Sequence, residues 1–203
     1  MSLFIVFEGL DGSGLSTQSE LLKSFLTKRG YDVLLTKEQT IGFIGGIIKS
    51  ILRKEIRTSP LALQLLFTAD RAHHLHAEIE PALKDGKIVI SDRYLFSTLA
   101  FGGLDIDMEF LKQINSKFRI PDITFILDVP PEVCLERIGK SRLNHFELFE
   151  EKEKFEKIRA NYMSLKNSFP NMYVIDGNRS IEAVAKDVQK IVLEKLKHKA
   201  GSE

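Results

Sequence analysis

The sequence predicts an α/β fold, a single parallel sheet of five strands with helices on both faces. Three observations carry this expectation. Short apolar runs recur along the chain, separated by segments with helical periodicity. The runs lack the polar alternation of a sheet with one wet face, which is the pattern of parallel strands covered on both sides. The first run passes through glycines straight into a helix, the opening unit of a doubly wound sheet. With 203 residues and 43% hydrophobic content, the chain can bury a proper core and fits one domain over 1–203.

The first strand is expected over 3–7 and stops at a glycine. A helix follows over 16–29, where Leu21, Leu22, Phe25 and Leu26 repeat at helical spacing and Gly30 stands where a helix stop belongs. After a second strand over 33–36, a long helix is expected over 60–84. Pro60 suits its first turn, where a missing backbone donor costs nothing, and Gly86 follows its end. Strands over 88–91, 123–128 and 172–176, with helices over 132–138, 148–167 and 181–197, complete the alternation. The tail over 198–203 reads as frayed. Ligands of open parallel sheets bind beyond the carboxyl ends of the strands, so the chemistry belongs there.

Composition narrows the ligand. Lys+Arg 29 against Asp+Glu 28 leaves a net charge of +1, so the broad positive field of a nucleic-acid or anionic-membrane binder is missing. Any anion must be held by a local site, and the expected partners are small molecules, with no nucleic acid and no membrane. A single cysteine, Cys134, cannot form an internal disulfide, and the apolar run before Glu8 is too short for a signal peptide or a membrane span. A reducing, cytoplasmic compartment is the expectation.

Directly after the first strand, GLDGSGLS occupies 9–16, with Thr17 next. It meets the phosphate-loop pattern at every fixed position but one. Gly9, Gly12 and Gly14 let the backbone wrap around Leu10, Asp11 and Ser13 with its N–H groups pointing inward, and the following helix start adds its dipole. Ser16 would ligate magnesium. Leu15 is the departure, standing where the pattern has a lysine that neutralises the β- and γ-phosphate oxygens. A glycine-rich turn without a ligand is the plainer reading of the loop alone. After the third strand, SDRYLFSTLAF places Asp92 and Arg93 at a carboxyl edge beside this loop. An arginine can grip a phosphate through two parallel hydrogen bonds, and an aspartate can reach magnesium directly or through water. A structural ion pair between Asp92 and Arg93 is the alternative.

FEGLDGSG, Glu38 after the second strand, LLFTADRAHH, SDRYLFSTLAF, LDVPPEVCLERI and VIDGNRSIEAV follow one another in that order. On these segments the chain resembles the thymidylate kinase family from Phe4 to nearly its C-terminus. The resemblance implies the fold of a P-loop nucleoside monophosphate kinase, transfer of the γ-phosphoryl group of ATP to dTMP with Mg2+, and a homodimer. It implies that Gly9 through Thr17 hold ATP and that Ser16 and Asp92 serve the metal. Asp11, Glu38, Phe67, Arg71, Arg93, Thr98 and Phe101 would form the dTMP site: Phe67 stacked on thymine, Arg71 at a base carbonyl, Asp11 at the 3'-hydroxyl, Arg93 on the acceptor phosphate. Read from the residues alone, Phe67 would simply be core.

A short lid is implied at about 139–147, where GKSRLNHFE follows Ile138. Arg142 is its expected catalytic cation, with Lys140 and Arg137 behind it; a solvated charged turn is the plainer reading. His73, His74 and His76 crowd one helix without the spread of a closed metal site and are expected on exposed helix surface. Besides Leu15, the chain departs from the family at Lys37 (usually arginine), Gln39 (proline), Phe101-Gly102 (Tyr-Gln) and His145 (arginine). The activity expected is that of the kinase, slowed by Leu15; the alternative is a nucleotide-binding pseudoenzyme of the same fold.

Overall fold

The computed structural model describes residues 2–139 and 145–200. Of the expected lid, Lys140 and Arg142 therefore lie outside the described residues. Five strands form one all-parallel sheet: β1 (Leu3–Gly9), β2 (Val33–Lys37), β3 (Ile88–Asp92), β4 (Ile123–Asp128) and β5 (Met172–Asp176), in the order β2-β3-β1-β4-β5. The expected sheet is the one found. Every residue of β1, the central strand, is buried, as a strand covered on both faces must be.

Alternation along β1 feeds two cores. Phe4 and Val6 join Val89 and Ile126 on one face, whereas Leu3, Ile5 and Phe7 join Ile90 and Phe125 on the other. The second core is closed by α1 (Leu15–Thr27) and α9 (Ile181–Ala200), through Leu22, Leu26, Val188 and Val192. The first is closed by α5 (Leu95–Gly102), α6 (Met108–Asn115), α7 (Pro131–Arg137), α8 (His145–Leu165) and the end of the long helix. Among the described residues no helix is long and apolar enough to cross a membrane.

The expected long helix is continuous but not uniform: α3 (Pro60–His74) passes through a π turn (Leu75–Ile79) into α4 (Glu80–Lys84). Ser59 caps its start, its side chain accepting the Ala62 N–H at 3.2 Å. The π turn precedes Pro81, whose ring would crowd the carbonyl of Ala77 in regular α geometry; widening the turn moves that carbonyl aside.

Three helices were not anticipated: α2 (Phe43–Leu52), α5 and α6. In α2 the pair Gly45-Gly46 disfavours helix, but a Cβ at Gly45 would run into the Thr40 backbone, so the loop before the helix requires it. α5 is short and almost wholly buried, so it has no polar stripe to reveal its period. One expectation is corrected here. His74 is buried rather than on exposed surface, with Nε2 2.7 Å from Thr36 Oγ1 and 3.1 Å from Glu78 Oε2, because this helix face packs on β2. His73 and His76 are exposed.

Candidate active site

Register brings the chemistry to one edge. Phe7 and Lys37 both pair with Asp92, so the carboxyl ends of β1, β2 and β3 finish together, and the Glu38 and Arg93 amides extend the ladder by donating to Asp92 O and Phe7 O. A cavity of about 680 Å³ opens there. The phosphate loop from Leu10 to Thr17 wraps one side of it, and Lys37, Lys49, Arg137 and Arg179 supply positive charge to the walls. Gly12 and Gly14 have φ of 85° and 99°, a turn that side chains resist. Gly9 sits just behind the lining, its carbonyl oxygen accepting from Arg93 at 3.0 Å. Arg137, expected behind the lid cation, donates to Gly12 O at 3.3 Å.

Leu15 is only 6% exposed and belongs to the core between α1 and α9. The next residue is polar and aimed the other way: Ser16 Oγ donates to Asp92 Oδ2 at 2.6 Å. A hydroxyl and a carboxylate side by side are the hard oxygen donors that magnesium takes, one or two from protein and the rest from phosphates and water. Among the described residues no cluster of three or more His, Cys, Asp or Glu side chains offers a fuller metal cage. The residues fit the implied ion.

A second cavity of about 390 Å³ adjoins the first, and all of Asp11, Glu38, Phe67, Arg71, Arg93, Thr98 and Phe101 line it. Phe67 is half-buried and faces the cavity rather than filling the core. Arg93 adopts φ 73°, and its guanidinium is held by Gly9 O, by Ser97 Oγ at 3.1 Å and by Asp11 Oδ1 at 2.6 Å. It lies 5.3 Å over the Phe101 ring. Arg93 pairs with Asp11 while Asp92 bonds Ser16, so the anticipated alternative, an Asp92–Arg93 ion pair, is not what the strand end builds. Arg71 is 1% exposed, and four of its five guanidinium N–H groups are engaged: Nε and Nη2 donate to Glu38 Oε2, Nη1 to Asn115 Oδ1 at 2.6 Å, and Nη2 to Thr98 Oγ1.

The sequence profile described as thymidylate kinase matches residues 7–188. This chain belongs to the thymidylate kinase family. Similar proteins include the "Probable thymidylate kinase" of Thermococcus onnurineus, 41% identical over 96% of this chain and 98% of that one. The one from Pyrococcus horikoshii is 40% identical over 95% and 97%, and the "Thymidylate kinase" of Desulfotalea psychrophila 38% identical over 95% of each.

Four side chains of this thymidylate kinase family site escaped the sequence reading: Glu8, Gln64, Ser97 and Tyr162. Glu8 is wholly buried; Oε1 accepts the Tyr94 and Ser97 N–H groups, and Oε2 accepts the Ser97 and Tyr162 hydroxyls at 2.6 and 3.0 Å. Burial pushes its carboxyl up to about 7, against the lowering pull of Ser97, the Arg93 charge, Tyr162 and the Tyr94 amide. The signal for Glu8 was present, an acid inside a wholly apolar strand. Gln64 could have been found three residues before Phe67 on the same helix face. Tyr162, 154 residues from Glu8, left no local trace.

Proposed function

We propose that this chain transfers the γ-phosphoryl group of ATP to dTMP, giving dTDP and ADP. The observation that carries this reading is the pair of adjoining cavities, one wrapped by the phosphate loop, the other lined by the whole expected acceptor set, with Asp11, Glu38, Gln39 and Arg93 common to both. Phosphoryl transfer of this kind needs no covalent intermediate, and the protein acts by positioning and electrostatics.

ATP lies in the larger cavity, its phosphates in the loop from Gly9 to Thr17. Ser16 and Asp92 would hold magnesium, which when bound neutralises charge on the donor phosphates. dTMP lies in the smaller cavity, with thymine stacked on Phe67 and walled by Thr98 and Phe101. Arg93, already fixed by Gly9 O and Ser97, turns its remaining donors to the acceptor phosphate. Asp11 meets the sugar 3'-hydroxyl. Arg71 reaches the base side of the cavity while bracing Glu38. The family resemblance gives the lid role to about 139–147, with Arg142, outside the described residues, as the cation that would stand in for the lysine absent at position 15. The kinase works slowly for that absence, in the cytoplasm and as a homodimer. Exposed Leu61 and Leu65 on α3 support a paired helix face, which sedimentation tests. The pseudoenzyme alternative has no support among the relatives.

A coupled ADP-release assay with dTMP, dUMP, dCMP, AMP or no acceptor tests the reading. ADP should form fastest with dTMP. Equal release without an acceptor, or preference for AMP, would refute it.

A further inference from the structure

We propose that Gln64 determines base specificity, its carboxamide accepting the ring N3–H of the pyrimidine. The inference rests on the reading of the smaller cavity as the dTMP site. Gln64 is 7% exposed and lines that cavity, yet its Oε1 is buried with no hydrogen-bond partner. A buried carbonyl oxygen left unpaired costs stability in the free protein, and a ligand donor removes that cost. On α3, Gln64 precedes Phe67 by three residues and Arg71 by seven, so all three share one face.

The neighbouring helix is cut to fit this side chain. A Cβ at Gly102, the last residue of α5, would stand 2.8 Å from Gln64 Cδ and 2.9 Å from Oε1. Gly102 is therefore the seat that lets the carboxamide lie against the α5 backbone.

Thymine presents two carbonyl acceptors flanking one N–H donor. Arg71 can only donate, and Thr98 Oγ1 already accepts from it, so both suit the carbonyls. The ring N–H needs an acceptor, and Gln64 Oε1 is free to serve. Glu38 Oε1 is also unpartnered, but it faces His74 Nδ1 at 3.6 Å. The Tyr94 hydroxyl is the remaining unpartnered oxygen of this wall, and the test includes it. Cytosine lacks a hydrogen on N3 and carries an amino group beside it, which would meet the donor-only Arg71. Selectivity over dCMP follows.

Calorimetry with dTMP and with its N3-methyl analogue, which keeps both ring carbonyls and lacks the N3–H, reads this directly. The wild type should bind the analogue about 10- to 100-fold more weakly than dTMP. Gln64→Leu should weaken dTMP by a similar factor and erase the difference between the two ligands. Gly102→Ala, by displacing the carboxamide, should weaken dTMP without lowering the melting temperature, and Tyr94→Phe should keep the wild-type discrimination. The assignment is overturned if Gln64→Leu binds dTMP within about twofold of wild type, or if Tyr94→Phe abolishes the discrimination. Should Gln64→Leu not fold, equal wild-type affinity for the two ligands overturns it as well. A wild type that binds no dTMP refutes the cavity reading together with this one, whereas normal binding unaffected by Gln64→Leu refutes this one alone.

Discussion

Leu15 packs among the apolar side chains that join α1 to α9, so hydrocarbon closes the phosphate loop where the general pattern has an ammonium. It also borders the larger cavity, which leaves a path for a longer side chain to emerge. Leu15→Lys should raise turnover by about 10²- to 10³-fold, the scale of a single transition-state donor. It should also lower stability by about 1.5–3 kcal/mol for the apolar burial given up. Initial rates and thermal melts read the two effects; unchanged turnover would mean that Arg142 makes up the missing charge in full and that Leu15 does not slow the kinase. Asp92→Asn separates metal from scaffold in the same way. Its amide oxygen can still accept from Ser16, so melting should stay near wild type, while turnover falls and half-maximal activity moves to higher magnesium. Magnesium titration of the rate decides it. Both positions were legible in the sequence because a phosphate loop and a strand end are local patterns.

At the scale of elements, α3 is a brace as much as a pocket wall. Arg71 joins it to the segment after β2 through Glu38, to α6 through Asn115 and to α5 through Thr98. Arg71→Ala should therefore cost about 3–5 kcal/mol of stability by leaving Glu38 buried and unpaired, which obscures any loss of dTMP binding. Phe67→Ala, outside that network, should weaken dTMP by about 1–3 kcal/mol, the scale of one stacked base, with little change in denaturation midpoint. Chemical denaturation and calorimetry on the two variants test this division. Sequence reading placed Phe67 and Arg71 on one face correctly because the α period is local. It could not see that most of the guanidinium is committed inside the protein, because Glu38, Thr98 and Asn115 come from three separate segments.

For the whole molecule, Glu8 is the joint: it ties β1 to the start of α5 and, through Tyr162, to α8. Its carboxyl rises from 4.5 to about 7 on folding, so the folded chain holds that proton more tightly than the unfolded one. This contribution is fully present below pH 4.5 and is lost as pH rises through 7, a swing of roughly 3 kcal/mol. Glu8→Gln should remove it, so the difference in stability between variant and wild type should change across pH 4.5–7. Parallel denaturation curves over that range would exclude the effect. The order of strands and helices was legible because each apolar run announces itself. The joint was not, since its members are separated by most of the chain.

Asp11, Glu38, Gln39 and Arg93 form a party wall between the two cavities. Whatever one nucleotide does to the charge or order of that wall is felt by the other, so the two binding equilibria are linked and neither affinity is a constant of the protein alone. Linkage is reciprocal: if dTMP changes the Kd of a non-hydrolysable ATP analogue by some factor, the analogue must change the Kd of dTMP by the same factor. Two pairs of titrations, each with and without the other ligand at saturation, should return matching ratios that differ from one; ratios of one would mean that the wall insulates the sites it separates.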